Sequence, residues 1–445
     1  RHLTRKGALR LAPALKSDSL VGAVQYWDAQ VDDARHTMAL GRTAAHYGAA
    51  IVTSARVTGL LREGERVVGA EAHDLETGED VAIRASQVVN ATGVVLHTNL
   101  GRALLGKETC EAIQLAASGY TDLEIDIATG DRVDRSRRAR RLLSLITGSE
   151  DALVVNNNAS AVLLAVQTFA RTGGVAVSRG EMVEIGGSFR LPEILASAAG
   201  RVIEVGTTNR THAKDYERAV REGASLLLKV HTSNYRIVGY TNEVTLAELV
   251  EVGRRTGVPV MYDQGSGVLF PMKERGIEGE ECIEEVLETG VDLVSFSADK
   301  VLGAPQGGII LGSRELIEPM SRNHLFRALR VDKLTLAGLE SVLLQYWTGN
   351  LDGVRSLEMI IVDPDEIRSR AERFAGRIKG SLPAGAAAGT AEGESSIGGG
   401  SFPINPLRTT LVEINLPAGQ SQRLADYLRR ADPAVFVRVK GGSIF

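Results

Sequence analysis

The sequence has few cysteines, few aromatic residues and no long apolar run. Cys110 and Cys282 stand alone, without a second Cys or a His at metal-ligand spacing. That spacing supports neither a disulfide framework nor a zinc site. No apolar run reaches the roughly 18 residues that a membrane-spanning helix needs. The opening RHLTRKGALRLAPALKSDSL also lacks the apolar centre of a signal peptide. The sequence therefore predicts a cytoplasmic protein without a membrane segment.

Charge of neither sign dominates the chain. The formal net charge is -4 at pH 7, which predicts no attraction of the whole protein to nucleic acid. Two local runs are basic. Residues 131–143 carry six Arg against two Asp, and residues 321–333 add four more cations. The solvated face of a helix is the usual explanation for such runs, and contact with RNA phosphates is the alternative.

The first part of the chain shows a strand, a helix and a meander. Residues 21–30 predict a short strand, and residues 33–48 predict a helix that Gly48 ends. Residues 50–75 and 79–93 alternate apolar and polar side chains and turn at REGER and LETGED. We therefore expect a helix that leads into a meander of strands. No strand followed by GxGxxG occurs there, so no cradle for an FAD pyrophosphate is predicted.

From about residue 138 the pattern changes to short apolar runs that alternate with helical patterns. The runs are ALVVNN, GGVAVSR, RVIEVG, SLLLKVH, PVMYDQ, DLVSFSAD and GGIILG. They predict a buried parallel sheet with crossover helices, and so a large α/β domain. The Gly-, Ala- and Ser-rich residues 381–406 predict irregular connections, and TTLVEINLP, SQRLADYLRRA and VFVRVK predict a small β-α-β layer. Because the sequence begins at Arg1 and stops at GGSIF after a strand pattern, we expect a final strand to be missing.

The strongest signal of a site is a lysine that follows an apolar strand. SFSADKVLGAPQGG, residues 295–308, places Lys300 between such a strand and a loop of Gly and Pro. The carboxyl edge of an α/β sheet is where ligands bind. An ammonium there is exposed, paired or chemically used, and an ordinary surface lysine is the alternative. Ser297 precedes Lys300 by three residues and is placed to hydrogen-bond a phosphate.

Two further motifs end apolar strands with polar residues. VPVMYDQGSG ends in Asp263, which meets Lys300 if the two strands are neighbours. A carboxylate and a lysine together suit pyridoxal phosphate, with a structural salt bridge as the alternative. ALVVNNNASAVLLAV runs from a strand through an Asn-rich turn into a helix, whose N-terminus suits a phosphate. Helix capping by Asn158 or Ser160 without a ligand is the alternative there.

Residues from about 88 to the C-terminus resemble the bacterial selenocysteine synthases, the L-seryl-tRNA(Sec) selenium transferases. The resemblance is carried by NATGVVLHTNLGRALL, VVNNNASAVLLAV, SRGEMVEIGGSFRLPEI, VGTTNRT, KVHTSNYRIVGYT, YDQGSG and SFSADKVLGAPQGG. It implies an α/β fold, that of a fold-type-I pyridoxal-phosphate transferase with a mainly parallel central sheet. A small C-terminal α+β domain and a foreign α+β N-terminal segment complete the expected architecture.

The resemblance also implies roles for individual residues. Lys300 is the lysine that forms the imine with the cofactor, and Asp263 is the partner of its pyridinium nitrogen. Arg102, Arg327 and Arg330 form the cationic pocket for the selenium donor. If SRNHLFRALR is helical, Arg327 and Arg330 share one face. The implied reaction converts seryl-tRNA(Sec) to selenocysteinyl-tRNA(Sec) with selenophosphate, in a ring-like homo-oligomer built from dimers.

The predicted cofactor-binding residues are Lys300, Asp263, Ser297, Asn157, Asn158 and Ala159. His231 and Asp299 are expected to adjoin the site, although His231 equally suits a structural role. One departure from the family is Ala304, which follows Gly303 where a second Gly is usual. Its methyl group is expected to shift the loop backbone slightly.

Residues 10–94 resemble a different family, the FAD-dependent glycerol-3-phosphate dehydrogenases. The strings LVGAVQYWDAQVDDARHTMALGRTAAHYGA and VTGLLREGERVVGAEAHDLETGEDVAIRASQVVNATG carry this resemblance. Both families contain VNATG, so the predicted join falls within or beside residues 89–93. We expect a dehydrogenase-like fragment at 1–94, a large pyridoxal-phosphate domain at 95–340 and a small domain at 341–445. The fragment replaces the helical domain that engages tRNA in the synthases, so we expect poor selection of seryl-tRNA.

Two alternatives to the transferase remain open at the level of the sequence. One is a catalytically silent fusion or binding scaffold, which the foreign N-terminus and the abrupt end favour. The other is a pyridoxal-phosphate enzyme that acts on a small amino acid, since the motifs specify the cofactor better than the tRNA.

Overall fold

The structure is a computed structural model that describes most of the chain after residue 87 and short pieces before it. The described residues are 2–4, 22–24, 55–63, 66–74, 80–84, 88–185, 189–402, 406–417, 419–431 and 433–445. Contacts divide the chain into two compact units, Arg1–Gln87 and Val88–Phe445. The predicted helix at 33–48 lies outside the described residues. The domain boundaries at 94/95 and 340/341 stay predictions.

The described residues of the first unit form two small antiparallel sheets. Its strands are β1 (His2–Thr4), β2 (Gly22–Val24), β3 (Ala55–Glu63), β4 (Arg66–Asp74) and β5 (Asp80–Arg84). β1 pairs with β2, and β3, β4 and β5 form a three-stranded meander. The meander confirms the alternating pattern seen in the sequence.

The second unit alternates strands and helices. Its strands are β6 (Val88–Ala91), β7 (Asp151–Val155), β8 (Gly174–Ser178), β9 (Glu184–Ile185), β10 (Phe189–Arg190), β11 (Arg201–Val205), β12 (Ala224–Val230), β13 (Val260–Gly265), β14 (Leu293–Ser297), β15 (Gly308–Gly312), β16 (Ala387–Ser395), β17 (Leu407–Asn415), β18 (Ala434–Val437), β19 (Val439–Lys440) and β20 (Ser443–Ile444). Its helices are α1 (Lys107–Ser118), α2 (Arg137–Thr147), α3 (Asn158–Phe169), α4 (Leu191–Ala198), α5 (Ala213–Arg221), α6 (Leu246–Thr256), α7 (Ile283–Glu288), α8 (Arg314–Arg322), α9 (His324–Leu329), α10 (Lys333–Thr348), α11 (Arg355–Ile361), α12 (Pro364–Lys379) and α13 (Ser421–Arg429). None of the helices in the described part of the chain is long and apolar enough to cross a membrane.

All seven predicted apolar runs form one central sheet. The strand order is β11-β8-β12-β13-β14-β15-β7, and every strand is parallel to the others except β15, which is antiparallel to both neighbours. The sheet is therefore mainly parallel, as predicted. The direction of β15 departs from the prediction because only a short loop joins β14 to β15, and a parallel crossover needs a longer connection.

Helices cover both faces of this sheet. Adjacent residues of a strand point to opposite faces. Val154 accordingly lies in a hydrophobic cluster with Leu143 of α2 and Leu339 of α10, whereas its neighbour Leu153 lies in a second cluster with Leu164 of α3. The strands are buried on both faces, which explains their continuous apolar sequences.

The C-terminal residues build a four-stranded sheet in the order β16-β17-β20-β19. β16 lies within residues 381–406, so the prediction of irregular structure there was wrong. Its sequence AAGTAEGES has low strand propensity, but all nine residues pair with β17. The predicted β-α-β elements are present, yet β17 and β18 are not partners. β18 pairs in parallel with β6 instead.

Candidate active site

Asp263 and Lys300 meet at the carboxyl edge of the central sheet. β13 and β14 are parallel neighbours, and Asp263 is aligned with Ser295 of β14. β14 ends at Ser297, which is buried, and Lys300 lies three residues further along the chain. A Cβ added to Gly265 would lie 3.6 Å from Lys300 Nζ and 4.0 Å from Asp263 Oδ1. The amine and the carboxylate therefore border one small space that the absent side chain of Gly265 leaves open.

Lys300 is buried in a way that favours its neutral form. Its exposed fraction is 5%, and among the described residues no hydrogen bond or ion pair engages its amine. Burial lowers the pKa of Lys300, and the charge of Arg102 lowers it further, while Asp263, Asp299 and Glu280 oppose the change. A neutral amine is the form that attacks a carbonyl carbon. This environment suits the role that the sequence predicts for Lys300.

Asp263 is held by the strand beside it and by the helix above it. Its Oδ1 accepts a hydrogen bond from Asn158 Nδ2 at 2.7 Å, and its backbone carbonyl accepts one from His231 N at 2.9 Å. Burial raises the pKa of Asp263, whereas the Asn158 hydrogen bond and the neighbouring Lys300 work against that rise. The carboxylate is thus fixed in direction at the edge of the sheet.

The Asn-rich turn forms the N-terminus of α3. Asn157 is the N-cap, and its Oδ1 accepts a hydrogen bond from Ser160 N at 2.9 Å. The capping role considered for Asn158 or Ser160 therefore belongs to Asn157, and Asn158 contacts Asp263 instead. A Cβ on Gly308 would lie 2.1 Å from Asn157 O, so only glycine fits beside the turn. Ala159 lies in the first turn of α3, whose free N–H groups suit a phosphate.

Arg102 contacts the residue that precedes Lys300. Its Nη1 lies 2.9 Å from Asp299 Oδ2 and 3.1 Å from Asp299 Oδ1. Arg102 has a left-handed backbone with φ 63°, which is rare for a residue with a side chain. Ala103 N also donates to Asp299 O at 3.2 Å. Asp299 therefore positions both the loop and the guanidinium beside Lys300.

Arg327 and Arg330 do not share a helix face, which corrects the sequence prediction. α9 ends at Leu329, and Arg330 has an extended backbone, φ −68° and ψ 145°, that bridges to Val155 of β7. This pairing with the end of β7 overrides the helical pattern. Arg327 is exposed on α9. Burial, with the charges of Arg135 and Arg327, lowers the pKa of Arg330.

A carboxylate that the sequence did not single out lies within this group of cations. Glu124 Oε1 is 3.4 Å from Arg330 Nη1 and also pairs with Arg135, while its Oε2 is 3.1 Å from Arg132 Nη2. The structure thus pairs Arg102 with Asp299 and Arg330 with Glu124, and the charge of Arg327 acts on Arg330.

Most of the basic run at 131–143 is paired with acids. Arg137 lies 3.5 Å from Asp122 Oδ2, and Arg140 Nη2 lies 2.6 Å from Asp151 Oδ2. Arg138 contacts Asp122 as well. The run therefore presents less free positive charge than its sequence suggests.

Ala304 is packed inside the loop after Lys300. Gly303 carries the left-handed backbone, with φ 81°, and Ala304 does not. Ala304 is 1% exposed, and its N–H donates to Ala298 O at 2.9 Å. The residue whose backbone favours glycine is thus Gly303, and the expected slight shift of the loop by Ala304 stays a prediction.

The polar groups at this edge fit pyridoxal phosphate. Several side-chain atoms there are buried without a hydrogen-bond partner among the described residues, among them Asn158 Oδ1, His231 Nδ1 and Ser233 Oγ. Buried polar atoms in folded proteins are almost always bonded, so such a group indicates a missing polar ligand. Lys300 suits the aldehyde of the cofactor, Asp263 its ring nitrogen and the start of α3 its phosphate.

Comparison with known proteins agrees with this geometry. A family model described as SelA, L-seryl-tRNA selenium transferase, matches residues 88–445. The chain belongs to this family. An L-seryl-tRNA(Sec) selenium transferase of Moorella thermoacetica is 47% identical over 376 residues, which cover 84% of this chain and 80% of that protein. The corresponding protein of Geobacter sulfurreducens is 44% identical over 388 residues, which cover 86% and 84%.

The N-terminal residues match a second protein family. A family model described as DAO, FAD dependent oxidoreductase, matches residues 1–121. It shares residues 88–121 with the selenium transferase match, and the predicted join at 89–93 lies inside that stretch. The finer likeness to glycerol-3-phosphate dehydrogenases stays a prediction.

Among solved structures, D-glucosaminate-6-phosphate ammonia-lyase is similar in fold. Its TM-score is 0.57 at 20% sequence identity, over 81% of this chain and 90% of that chain. The predicted α/β fold class is confirmed.

Proposed function

We propose that the chain is a pyridoxal-phosphate-dependent transferase that converts seryl-tRNA(Sec) to selenocysteinyl-tRNA(Sec) with selenophosphate. Its membership of the selenium transferase family supports the reaction, and the meeting of Lys300 with Asp263 supports the cofactor. That juxtaposition is the observation on which the proposal rests.

Pyridoxal phosphate, when bound, supplies an aldehyde for the substrate amine and an electron-withdrawing ring. Lys300 would hold the cofactor at its aldehyde, and once the substrate amine has replaced it there, the freed Lys300 amine would take the Cα proton of the seryl group. Asp263 keeps a proton on the ring nitrogen because its carboxylate is oriented by Asn158 at 2.7 Å. The first turn of α3, with Asn157, Asn158 and Ala159, binds the phosphate. Ser297 lies at the same edge as a further donor.

The arginines serve the anionic selenium donor in this proposal. A guanidinium keeps its charge and pairs with phosphate oxygens in a planar fork. Arg102 brings such a group beside Lys300, and Arg330 with the exposed Arg327 brings two more to the end of β7. Since Asp299 and Glu124 occupy Arg102 and Arg330, we infer that the donor competes with these carboxylates.

We further propose that the chain works as a cytoplasmic homo-oligomer. Three large apolar side chains line a groove beside α1 and are strongly exposed: Leu115, Tyr120 and Ile127. Apolar side chains grouped in this way mark interaction surfaces. The groove has a volume of about 550 Å³. Light scattering on the full chain, compared with Leu115→Asp, tests this, since a monomeric state of both proteins refutes it.

The reaction itself is tested with labelled selenium. The full chain is incubated with pyridoxal phosphate, selenophosphate carrying a selenium label, and either seryl-tRNA(Sec) or free serine. Label that co-migrates with the tRNA and is lost in Lys300→Ala supports the proposal. If only free serine is labelled, the chain is better explained as a pyridoxal-phosphate enzyme that acts on a small amino acid. If neither substrate is labelled, the catalytically silent fusion is favoured.

A further inference from the structure

A short turn of the C-terminal layer has an unusual backbone. Gly398, Gly399 and Gly400 have φ values of 82°, 65° and 80°, and Phe402 has φ 48°. A bulky residue in this left-handed region is strained and persists only where its surroundings hold it. The turn therefore requires an anchor near Phe402.

The turn covers the side chain of Lys300. A Cβ added to Gly399 would lie 3.8 Å from Lys300 Cγ and 3.4 Å from Leu96 Cβ. A Cβ added to Gly400 would lie 3.0 Å from Ser233 Cβ. The backbone of the turn thus approaches the lysine stem on one side and the loop after β12 on the other. It closes the site where the sequence predicted only irregular connections.

Glu280 anchors this turn. Its exposed fraction is 6%, and its Oε1 accepts the hydrogen bond of Phe402 N. Its Oε2 is buried without a partner among the residues that the structure describes. A buried carboxylate makes strong hydrogen bonds to backbone N–H groups, so it is well suited to hold the strained Phe402.

We propose that Glu280 is a positioning residue for Lys300, acting through the turn Gly398–Phe402 that its carboxylate ties down over the lysine. The carboxylate keeps the turn closed, and the closed turn keeps water from the lysine stem and limits the positions of the amine. This inference rests on the proposed role of Lys300. Its test reads the lysine directly, without cofactor or substrate, so it fails or succeeds separately from the proposed function.

Opening of the turn and loss of the Glu280 charge are expected to shift the pKa of Lys300 in opposite directions. The charged groups that act on the lysine are Arg102, Asp263, Asp299 and Glu280. Loss of the Glu280 charge alone lowers the lysine pKa, because a negative neighbour favours the ammonium. Opening of the turn hydrates the lysine and raises its pKa toward the ordinary value. Glu280→Gln removes the charge and keeps an acceptor for Phe402 N, whereas Glu280→Ala removes both.

The experiment is competitive labelling of the full chain with acetic anhydride over a series of pH values, with the Lys300 peptide quantified by mass spectrometry. In Glu280→Ala we expect the limiting rate at high pH to rise at least fivefold. In Glu280→Gln we expect it to stay within twofold of the parent rate. The pH midpoint of the Ala variant is expected above that of the Gln variant. The exposed neighbour Glu281→Ala is the matched control and should leave both quantities unchanged.

A second pair of variants covers the case in which Glu280→Ala does not fold. Gly398→Ala places a methyl group 2.3 Å from Val94 Cγ1 and 3.2 Å from Leu96 O, so the turn must shift, and this variant should also raise the limiting rate at least fivefold. Gly441→Ala has the same left-handed strain, at φ 61°, but no atom within 4 Å of the added Cβ. It should stay within twofold. Equal rates in Glu280→Ala and Glu280→Gln, or in Gly398→Ala and Gly441→Ala, would overturn the proposal.

Discussion

Arg102 Nη1 lies 2.9 Å and 3.1 Å from the two carboxylate oxygens of Asp299, the residue directly before Lys300. One ion pair thus joins a cation proposed for the selenium donor to the backbone of the proposed imine-forming lysine. Both side chains are partly screened from solvent, with exposed fractions of 29% and 11%. We therefore expect a change at Arg102 to be felt at Lys300.

Replacement of Arg102 should raise the pKa of Lys300. Arg102 lowers that pKa through its positive charge, so Arg102→Ala favours the ammonium and also frees Asp299 to stabilise it. We expect the labelling midpoint of Lys300 to move to higher pH. Arg179→Ala, which removes an equally charged residue from an exposed pair with Glu204, is the control. A midpoint that is unchanged or lower in Arg102→Ala refutes the coupling.

Asp263→Asn should weaken catalysis much more than cofactor binding. The phosphate contacts remain, but the neutral amide no longer keeps the ring nitrogen protonated. By analogy with the loss of a single preorganised contact, we expect the transition state to lose about 3 kcal/mol of stabilisation. This corresponds to a decrease in kcat of roughly a hundredfold. Turnover and the equilibrium binding of pyridoxal phosphate are measured side by side. Asp365→Asn, on the exposed start of α12, is the control, and parent-like turnover in Asp263→Asn would contradict the assignment.

The buried pair of Glu181 and Lys229 should support stability. Lys229 Nζ lies 2.9 Å from Glu181 Oε1, and Val230 N donates to Glu181 Oε2 at 3.0 Å. Glu181→Ala leaves a buried ammonium without its partner, which costs about 3–5 kcal/mol of unfolding free energy. Glu204→Ala breaks an exposed pair and should change stability by less than about 1 kcal/mol. Urea unfolding of both variants checks this, and equal losses would refute it.

The sequence predicts the parts of the site that depend on local patterns. Lys300 and Asp263 each follow an apolar run, and such runs form neighbouring strands whose carboxyl ends meet. The parts that depend on contacts between residues far apart in the sequence could not be predicted. Arg330 leaves its helical pattern because its backbone bridges to Val155. The turn of Gly398–Phe402 is held over Lys300 by residues far away in sequence, since Glu280 accepts a hydrogen bond from Phe402 N and Leu96 N donates one to Ile397 O.

The N-terminal unit should not select the cognate tRNA. Its residues match the FAD dependent oxidoreductase model, and we predict that they replace a tRNA-binding domain. The basic run at 131–143 is largely paired with acids. We expect similar, salt-sensitive affinities for seryl-tRNA(Sec) and an unrelated seryl-tRNA, since phosphate contacts carry no sequence information. Titrations of both tRNAs at several salt concentrations measure this. Strong preference for seryl-tRNA(Sec) at physiological salt would show that recognition resides in residues 88–445.

The most direct measurement is the site at which borohydride fixes pyridoxal phosphate to the chain. The full chain is loaded with cofactor, reduced, digested and mapped by mass spectrometry, with Lys300→Ala treated in parallel. The account predicts a reduced phosphopyridoxyl group on Lys300, and loss of both the adduct and the violet absorbance in Lys300→Ala. No adduct in the parent chain, or an adduct on another lysine that persists in Lys300→Ala, would contradict it.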